Sequence, residues 1–347
     1  MLLLPSVAYA DTGQWVKYSA NPVLSPTPNT WDADYIITSR VIFDGSIYRM
    51  WYVGGHGGTI GIGYANSTDG ITWQKYPNAV LTPGPSPNSW DSSKIGLGTI
   101  IRNGTGFLMW YQGISPIAYL NGAIGLATSP DGITWTKFPG NPILKPTEVD
   151  QKYISSPFVV RLNSTYRMWY TAKSATDPDS SQITRILYAS SYDGIHWTKL
   201  LSPALTPSTN STAWDSLSVF SPTVIFDGSN FGMWYSGMNQ SLVAQIGYAT
   251  SLDGGTWTRS SDNPILRPGS PGSWDSAGVQ QPSVAVGNGF LLYYDGFSNN
   301  SGGRIGLALG PHNFVIPEFS ASALDLFLGL VLCTTVCVSA INRQHEY

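Results

Sequence analysis

Met50-Trp51-Tyr52, Met109-Trp110-Tyr111, Met168-Trp169-Tyr170, Met233-Trp234-Tyr235 and Leu292-Tyr293-Tyr294 are one motif written five times. The offsets are 59, 59, 65 and 59 residues. Two further markers run in phase with it. The first is a Trp-Asp pair at Trp31-Asp32, Trp90-Asp91, Trp214-Asp215 and Trp274-Asp275, with Val149-Asp150 in the third copy. The second is Ser-x-Asp-Gly-x-x-Trp, seen at Ser129 to Trp135 and returning at Asp69 to Trp73, Asp193 to Trp197 and Asp253 to Trp257. A fixed period of this length marks a repeat architecture, which overrides the two-domain expectation that 347 residues would otherwise raise.

Each copy reads as four short strands. In the second, Leu97 to Arg102 is strand one and Asn103-Gly104 a tight turn. Phe107 to Gln112, Ala123 to Thr128 and Thr134 to Lys137 follow as strands two to four, the last entered through Asp131-Gly132. Four antiparallel strands of this size make a propeller blade, so the fold class is all-β, a five-bladed β-propeller over residues 13–312. The last copy stops at its third strand, Ile305 to Ala308. The chain opens with Trp15-Val16-Lys17-Tyr18 and Asn21-Pro22-Val23-Leu24, matching Trp135-Thr136-Lys137-Phe138 and Asn141-Pro142-Ile143-Leu144. The N-terminal strand is therefore predicted to complete the last blade and close the ring, which removes an exposed sheet edge.

Charged residues are 11% of the chain and the net charge is −3, which leaves no basic footprint for nucleic acid. Both cysteines, Cys333 and Cys337, lie in the C-terminal tail, so the propeller has neither a disulfide nor a thiolate metal site. His56, His196, His312 and His345 are scattered without ligand spacing, and no transition-metal site or cofactor is expected. Asn-x-Ser/Thr sequons at Asn66, Asn103, Asn163, Asn210, Asn239 and Asn299 are compatible with a glycosylated exterior.

The ends read as addresses. Residues 1–10 finish in Ala8-Tyr9-Ala10, the small-x-small form of a signal-peptidase site. With a short apolar part and no basic stretch before it, this is expected to be the remnant of a secretory signal that starts upstream. At the other end, residues 313–325 form a linker carrying Pro317-Glu318-Phe319, and an apolar run spans 326–341 before Arg343. Counted from Ala321 the apolar segment is 21 residues, near the ~20 that cross a bilayer, with Asp325 at its start. Tripeptide, apolar run and basic residue together resemble the archaeal PEF-CTERM sorting signal. The expectation is a protein displayed at the cell surface, held to the membrane by a C-terminal helix.

In a propeller, the loops between strands two and three and the connections between blades share one face. Residues that recur in every copy are scaffold. The Asp-Gly turn aspartates bond nearby backbone, and the Trp-Asp aspartates are expected to clamp loops. Residues that break the repeat on the connection face are the candidates. Asp34 is the one acid just before strand one, and Asp295 the one acid just after strand two. They lie in blades one and five, adjacent across the closure. His56 could join them, Arg40 and Lys173 could supply positive charge, and Glu148 precedes blade three.

Five blades, the aromatic-Tyr strand two and the Ser-x-Asp-Gly-x-x-Trp hairpin resemble the five-bladed glycosidase fold. That group holds the arabinanases, invertases, levansucrases and mannosyl-phosphorylase relatives (glycoside hydrolase families 43, 32, 68 and 130). The resemblance implies carbohydrate as the partner, cell-envelope glycan included, and carboxylates at the funnel mouth, one a base or nucleophile and one a general acid. It also implies that a cation can sit in the central channel. In the arabinanase-like families the acids often stand in Asp-Pro pairs at the start of inner strands. Here those positions read Ser156-Pro157, Ser221-Pro222 and Gln281-Pro282, with Thr38-Ser39 and Leu97-Gly98 in the first two copies. Two readings follow. One is a glycoside hydrolase with displaced acids, Asp34, Asp295 and Glu148. The other is a binding or structural surface propeller whose funnel is lined by Ser155, Ser156, Ser218, Ser221, Gln280 and Gln281, with Gln112 beside them and Tyr35 and Tyr153 to stack on sugar faces.

Overall fold

The computed structural model describes residues 14–115, 120–147, 150, 153–174, 177, 182–287, 289–299 and 301–310. The signal-like start and the linker, sorting motif and apolar tail lie outside them. No helix among the described residues is long and apolar enough to cross a membrane.

β1 (Val16–Lys17) opens the chain. Blade 1 is β2 (Tyr35–Phe43), β3 (Tyr48–His56), β4 (Thr59–Ser67) and β5 (Gln74–Lys75). Blade 2 is β6 (Lys94–Asn103), β7 (Gly106–Ser115), β8 (Leu120–Ser129) and β9 (Thr136–Lys137). Blade 3 is β10 (Tyr153–Leu162), β11 (Thr165–Lys173), β12 (Arg185–Ser191) and β13 (Thr198–Lys199). Blade 4 is β14 (Ser218–Phe226), β15 (Phe231–Met238), β16 (Ala244–Ser251) and β17 (Thr258–Arg259). Blade 5 is β18 (Gly278–Val286), β19 (Phe290–Ser298) and β20 (Ser301–Leu309), completed by β1 in the order β1-β20-β19-β18.

The closing segment repeats the contacts that each blade makes within itself. Val16 faces Leu309 and Lys17 faces Ala308 in antiparallel register. Asn21 bonds both the N–H and the C=O of Leu307, as Asn141 does with Leu126 and Asn263 with Tyr248. Leu24 bridges Ile305 as Leu81 bridges Ile62 and Leu144 bridges Ile124.

The Trp-Asp aspartates are the loop clamps. Each is almost wholly buried. Each accepts the Tyr hydroxyl of strand two and the cation of strand four. The sets are Asp32 with Tyr52 and Lys75, Asp91 with Tyr111 and Lys137, Asp150 with Tyr170 and Lys199, and Asp215 with Tyr235 and Arg259. In the fifth set Asp275 takes Tyr294 from blade 5 and Lys17 from β1, at 3.2 and 2.5 Å. Burying a carboxylate is costly unless it is paired and hydrogen-bonded, and each site meets both conditions.

Blades grip one another through the motif tryptophans, which are fully buried. Trp51, Trp110 and Trp169 donate their indole N–H to Gly132, Gly194 and Gly254 of the next blade's hairpin, at 2.7–3.0 Å. The fifth copy has Tyr293 instead, and its hydroxyl donates to Gly70 at 2.7 Å. In those hairpins the aspartate caps two backbone N–H groups, as Asp69 does for Ile71 and Thr72. Gly70 sits at φ +74°, where a side chain would be strained.

Candidate functional site

All five inner strands break register at the same level around the axis: at Ile37/Arg40, Leu97/Ile100, Ser155/Phe158, Phe220/Thr223 and Gln280/Ser283. In four of them a non-glycine residue takes the left-handed conformation, namely Thr38 (φ +53°), Ser156 (+47°), Ser221 (+49°) and Gln281 (+56°). Such backbone persists only where the surroundings hold it, and it turns side chains toward a common point. Blade 2 bulges at Gly98 instead, where a Cβ would lie 2.3 Å from the Trp110 carbonyl and 2.5 Å from Pro157.

The bulges are held from the neighbouring blade by the residue that follows the strand-two motif. Thr171 Oγ1 accepts the Ser221 N–H at 2.9 Å, and Ser236 Oγ accepts that of Gln281 at 2.8 Å. At the closure Asp295 does the same for Thr38, with both carboxylate oxygens at 2.8 and 2.9 Å. Asp295 is completely buried, and that burial pushes its carboxyl well above the usual carboxylate range, against the pull of the Thr38 N–H and of Arg40. Its place in the repeat is thus that of Thr171 and Ser236, a clamp between blades.

Further along the five inner strands, past the bulges, stand Arg40, Thr99, Phe158, Thr223 and Ser283. Three of them tie blades together: Thr99 to Pro157 and Val159, Thr223 to Pro282, and Ser283 to Val41. Arg40 reaches across, donating to the carbonyls of Ser39 and Pro282 with its guanidinium 5.7 Å from the Phe158 ring centre. Burial lowers its pKa to about 10. A cation does not fit a channel that already carries this buried guanidinium. Among the described residues no group of three or more His, Cys, Asp or Glu is placed to hold a metal ion.

The bulges open upward into a cavity of about 220 Å³ between blades 3 and 4, bounded toward blade 5 by Gln281. It brings together six residues selected from the sequence, Tyr153, Ser155, Ser156, Ser218, Ser221 and Gln281. Gln112 supports it from below the rim, donating to the Tyr153 hydroxyl at 3.2 Å. Ser221 and Ser156 touch through their hydroxyls at 3.3 Å. Gln281 accepts from Thr38 through Oε1, leaving its amide N–H₂ to donate elsewhere. Ser155, Gln182 and Thr184 add polar groups, and Phe220 and Met238 an apolar wall. No carboxylate and no cation stands in this lining.

Sequence reasoning missed Gln182, Thr184, Phe220 and Met238. Phe220 was open to discovery: it occupies the position where the other inner strands carry Ile37, Gly96, Ser155 and Gln280. Gln182 and Thr184 belong to a strand-connecting loop with no repeat counterpart. They reach the site because Ser218 bonds Gln182 and Thr184.

The remaining candidates lie elsewhere. Asp34 is half exposed, and its carboxylate accepts from the Gly57 N–H at 2.9 Å and meets His56 Nδ1 at 2.8 Å. That contact with His56 holds it below the ordinary carboxylate range. Asp34 therefore pairs with His56 but not with Asp295. The two carboxylates share no partner among the described residues, Asp34 being held by His56 and Gly57 and Asp295 by Thr38. Tyr35 pairs with Gly55 beside Asp34 and is half buried. Arg40 lies sealed beneath the cavity, so it does not line it. Lys173 ends β11 and bears electrostatically on Asp177, which is bound by Arg185 at 2.5 Å. Glu148 lies outside the described residues.

A glycosyl hydrolase from Bacteroides ovatus superposes on the propeller with a TM-score of 0.66, covering 88% of this chain and 95% of that one at 18% identity. The fold is that of the five-bladed glycoside hydrolases. A member of glycoside hydrolase family 130, described among mannoside phosphorylases and hydrolases that target β-1,2-mannosidic linkages in Candida mannan, gives 0.65, with 88% and 95% covered at 18% identity. The Bombyx mori family 32 β-fructofuranosidase BmSUC1 gives 0.62, with 83% and 62% covered at 15% identity. In sequence, an uncharacterized protein of Mycobacterium tuberculosis is 28% identical over 275 residues, 77% of this chain and 88% of that protein. No family model matches the chain.

Proposed function

We propose that this propeller binds a neutral carbohydrate in the funnel cavity at the cell surface without cleaving it. The observation that carries the reading is the lining: hydroxyls, amides and aromatic rings in a strained, held constellation, with no carboxylate among the described residues that line it. Sugars present hydroxyls to such groups and apolar ring faces to aromatics. The two candidate acids in described positions are engaged elsewhere, Asp295 on the Thr38 N–H and Asp34 with His56. The names of the structural neighbours, which act on mannosides and fructosides, support carbohydrate as the ligand class. The surface location rests on the signal-like start and the apolar tail.

A glycan array followed by titration calorimetry, run alongside a reducing-sugar assay on the bound glycans, tests this. Binding without turnover is expected, weakened about two- to tenfold by Tyr153→Ala, since an aromatic contact contributes about 0.5–1.5 kcal/mol. Turnover that Asp34→Asn or Asp295→Asn abolishes would instead establish a hydrolase with displaced acids. Protease accessibility on intact cells tests the location.

A further inference from the structure

Strand three of every blade carries an isoleucine bridged to a leucine of the segment that follows strand four: Ile62 to Leu81, Ile124 to Leu144, Ile186 to Leu205, Ile246 to Leu266 and, at the closure, Ile305 to Leu24. The residue before that isoleucine is Gly61, Ala123, Arg185, Gln245 or Arg304. In blade 3 the connection from strand two supplies this position with a carboxylate. Arg185 donates to both oxygens of Asp177, from Nη1 at 2.5 Å and from Nη2 at 2.9 Å. Such a paired fit is what a planar guanidinium offers a planar carboxylate. In blade 4 Gln245 accepts from Arg267 at 3.4 Å.

Blade 5 has the arginine without the acid. No Asp or Glu occurs between Asp295 and Arg304. The Arg304 side chain is partly buried, and among the described residues it makes no hydrogen bond, ion pair or ring contact. It lines a cavity of about 580 Å³ between the closing segment and the start of blade 1, together with Pro22, Pro26 and Asp34. That size is in the range of small-molecule sites, ~300–1,000 Å³. Asp34 is the acid in this lining, and it is held by His56 and Gly57 and forms no ion pair with Arg304. An ionised carboxylate has about four lone-pair sites, so Asp34 can accept hydroxyl donors besides these two. The cavity thus offers a free guanidinium fork, a carboxylate acceptor and the apolar faces of two prolines.

We propose that this cavity binds an acidic sugar, a uronate whose carboxylate takes on Arg304 the place that Asp177 takes on Arg185, with ring hydroxyls donating to Asp34. The carboxylate follows from the comparison of the two arginines. That its bearer is a sugar rests on the carbohydrate reading above. The site shares no lining residue with the neutral cavity between blades 3 and 4. The two stand on the same face of the ring, since both are built from strand-one starts and the connections before them.

The test is titration calorimetry of the whole protein with galacturonate and glucuronate oligosaccharides, with their neutral galactose and glucose counterparts, and with acetate and sulfate. Uronate binding is expected, weakening as salt screens the charge. Arg304→Gln should weaken it about ten- to a hundredfold, the range for a hydrogen bond to a charged group. Blade 4 carries Gln245 at this position, so the variant should keep the fold. Arg304→Lys keeps the charge without the fork and should recover only part of the loss. Neutral glycans should bind wild type and Arg304→Gln alike. Uronates that do not bind, or that bind Arg304→Gln as tightly as the wild type, would overturn the proposal and leave the reading of the neutral cavity untouched. Sulfate binding as tightly as the uronates would overturn the choice of a carboxylate, and acetate doing so would overturn the sugar.

Discussion

Replacing Lys17 by Met removes the cation from the one Asp clamp whose partners come from opposite ends of the chain. Asp275 is almost fully buried and would keep Tyr294 and Ser273 as donors but lose its counter-charge. Breaking a buried pair costs about 3–5 kcal/mol. The Lys17 side chain is 27% exposed, so water can reach the truncated site, and about 2 kcal/mol is the expected loss. Lys75→Met performs the same chemistry on Asp32 inside the continuous chain of blade 1, with a similar global cost. The two variants should differ in where the loss appears. β1 is held by two ladder residues, so its detachment is a local opening. The amides it and its extension protect are those of Ile305, bonded to Leu24, and Leu307, bonded to Asn21. At tenfold per 1.4 kcal/mol, their hydrogen exchange should accelerate about 30-fold in Lys17→Met. Those of blade 1, such as Ile62 bonded to Leu81, should not. Native-state exchange by mass spectrometry or NMR reads this directly. Equal effects of both variants on Ile305 and Leu307, or no effect of Lys17→Met, would refute the idea that this ion pair locks the ring.

Asp295→Ser places in blade 5 the residue type that blade 4 uses at Ser236, so the variant should fold and bind glycan as the wild type does. Because burial raises the folded-state pKa of Asp295, its contribution to stability is intact below pH ~4 and lost as pH rises through the folded value. Urea titrations should show the wild type losing ground to Asp295→Ser between pH 4 and 8, and a gap that moves the other way would show an ionised carboxylate paired with Arg40. Tyr293→Phe removes the hydroxyl bonded to Gly70 across the last blade interface and should cost about 1 kcal/mol in urea denaturation. Tyr293→Trp, the residue of the other four copies, should recover part of it, and a neutral Tyr293→Phe would mean that the hydroxyl does not substitute for the indole.

Architecture was legible because it is written locally and five times. The Met-Trp-Tyr spacing placed strand two of every blade, the Asp-Gly turns placed the hairpins, and the match of Trp15 to Leu24 with Trp135 to Leu144 placed the closing strand. The Trp-Asp aspartates were readable as clamps because every copy carries one. The candidate site was only half legible. Tyr153, Ser156, Ser221 and Gln281 stood out beside the inner-strand prolines and do share one cavity. Asp295 stood out for the wrong reason: it breaks the repeat in residue type but keeps the duty of Thr171 and Ser236. Arg40, by sequence a source of positive charge for the candidate acids, is buried instead. Its orientation depends on Phe158, Pro282 and Ser39, which come from three blades.

The sequence by itself thus determined the number of blades, the strands within them and the identity of the closing segment, since each follows from a pattern repeated about every 60 residues. The tertiary structure decided which exceptions to that pattern act together. The Thr38 bulge is held by a carboxylate 257 residues away. The left-handed backbone at Thr38, Ser156, Ser221 and Gln281 is imposed from neighbouring blades and not by a glycine that could be read in advance. Contacts that arise only when the ring closes leave no local signature, and both the cavity and the Arg40 axis are made of them.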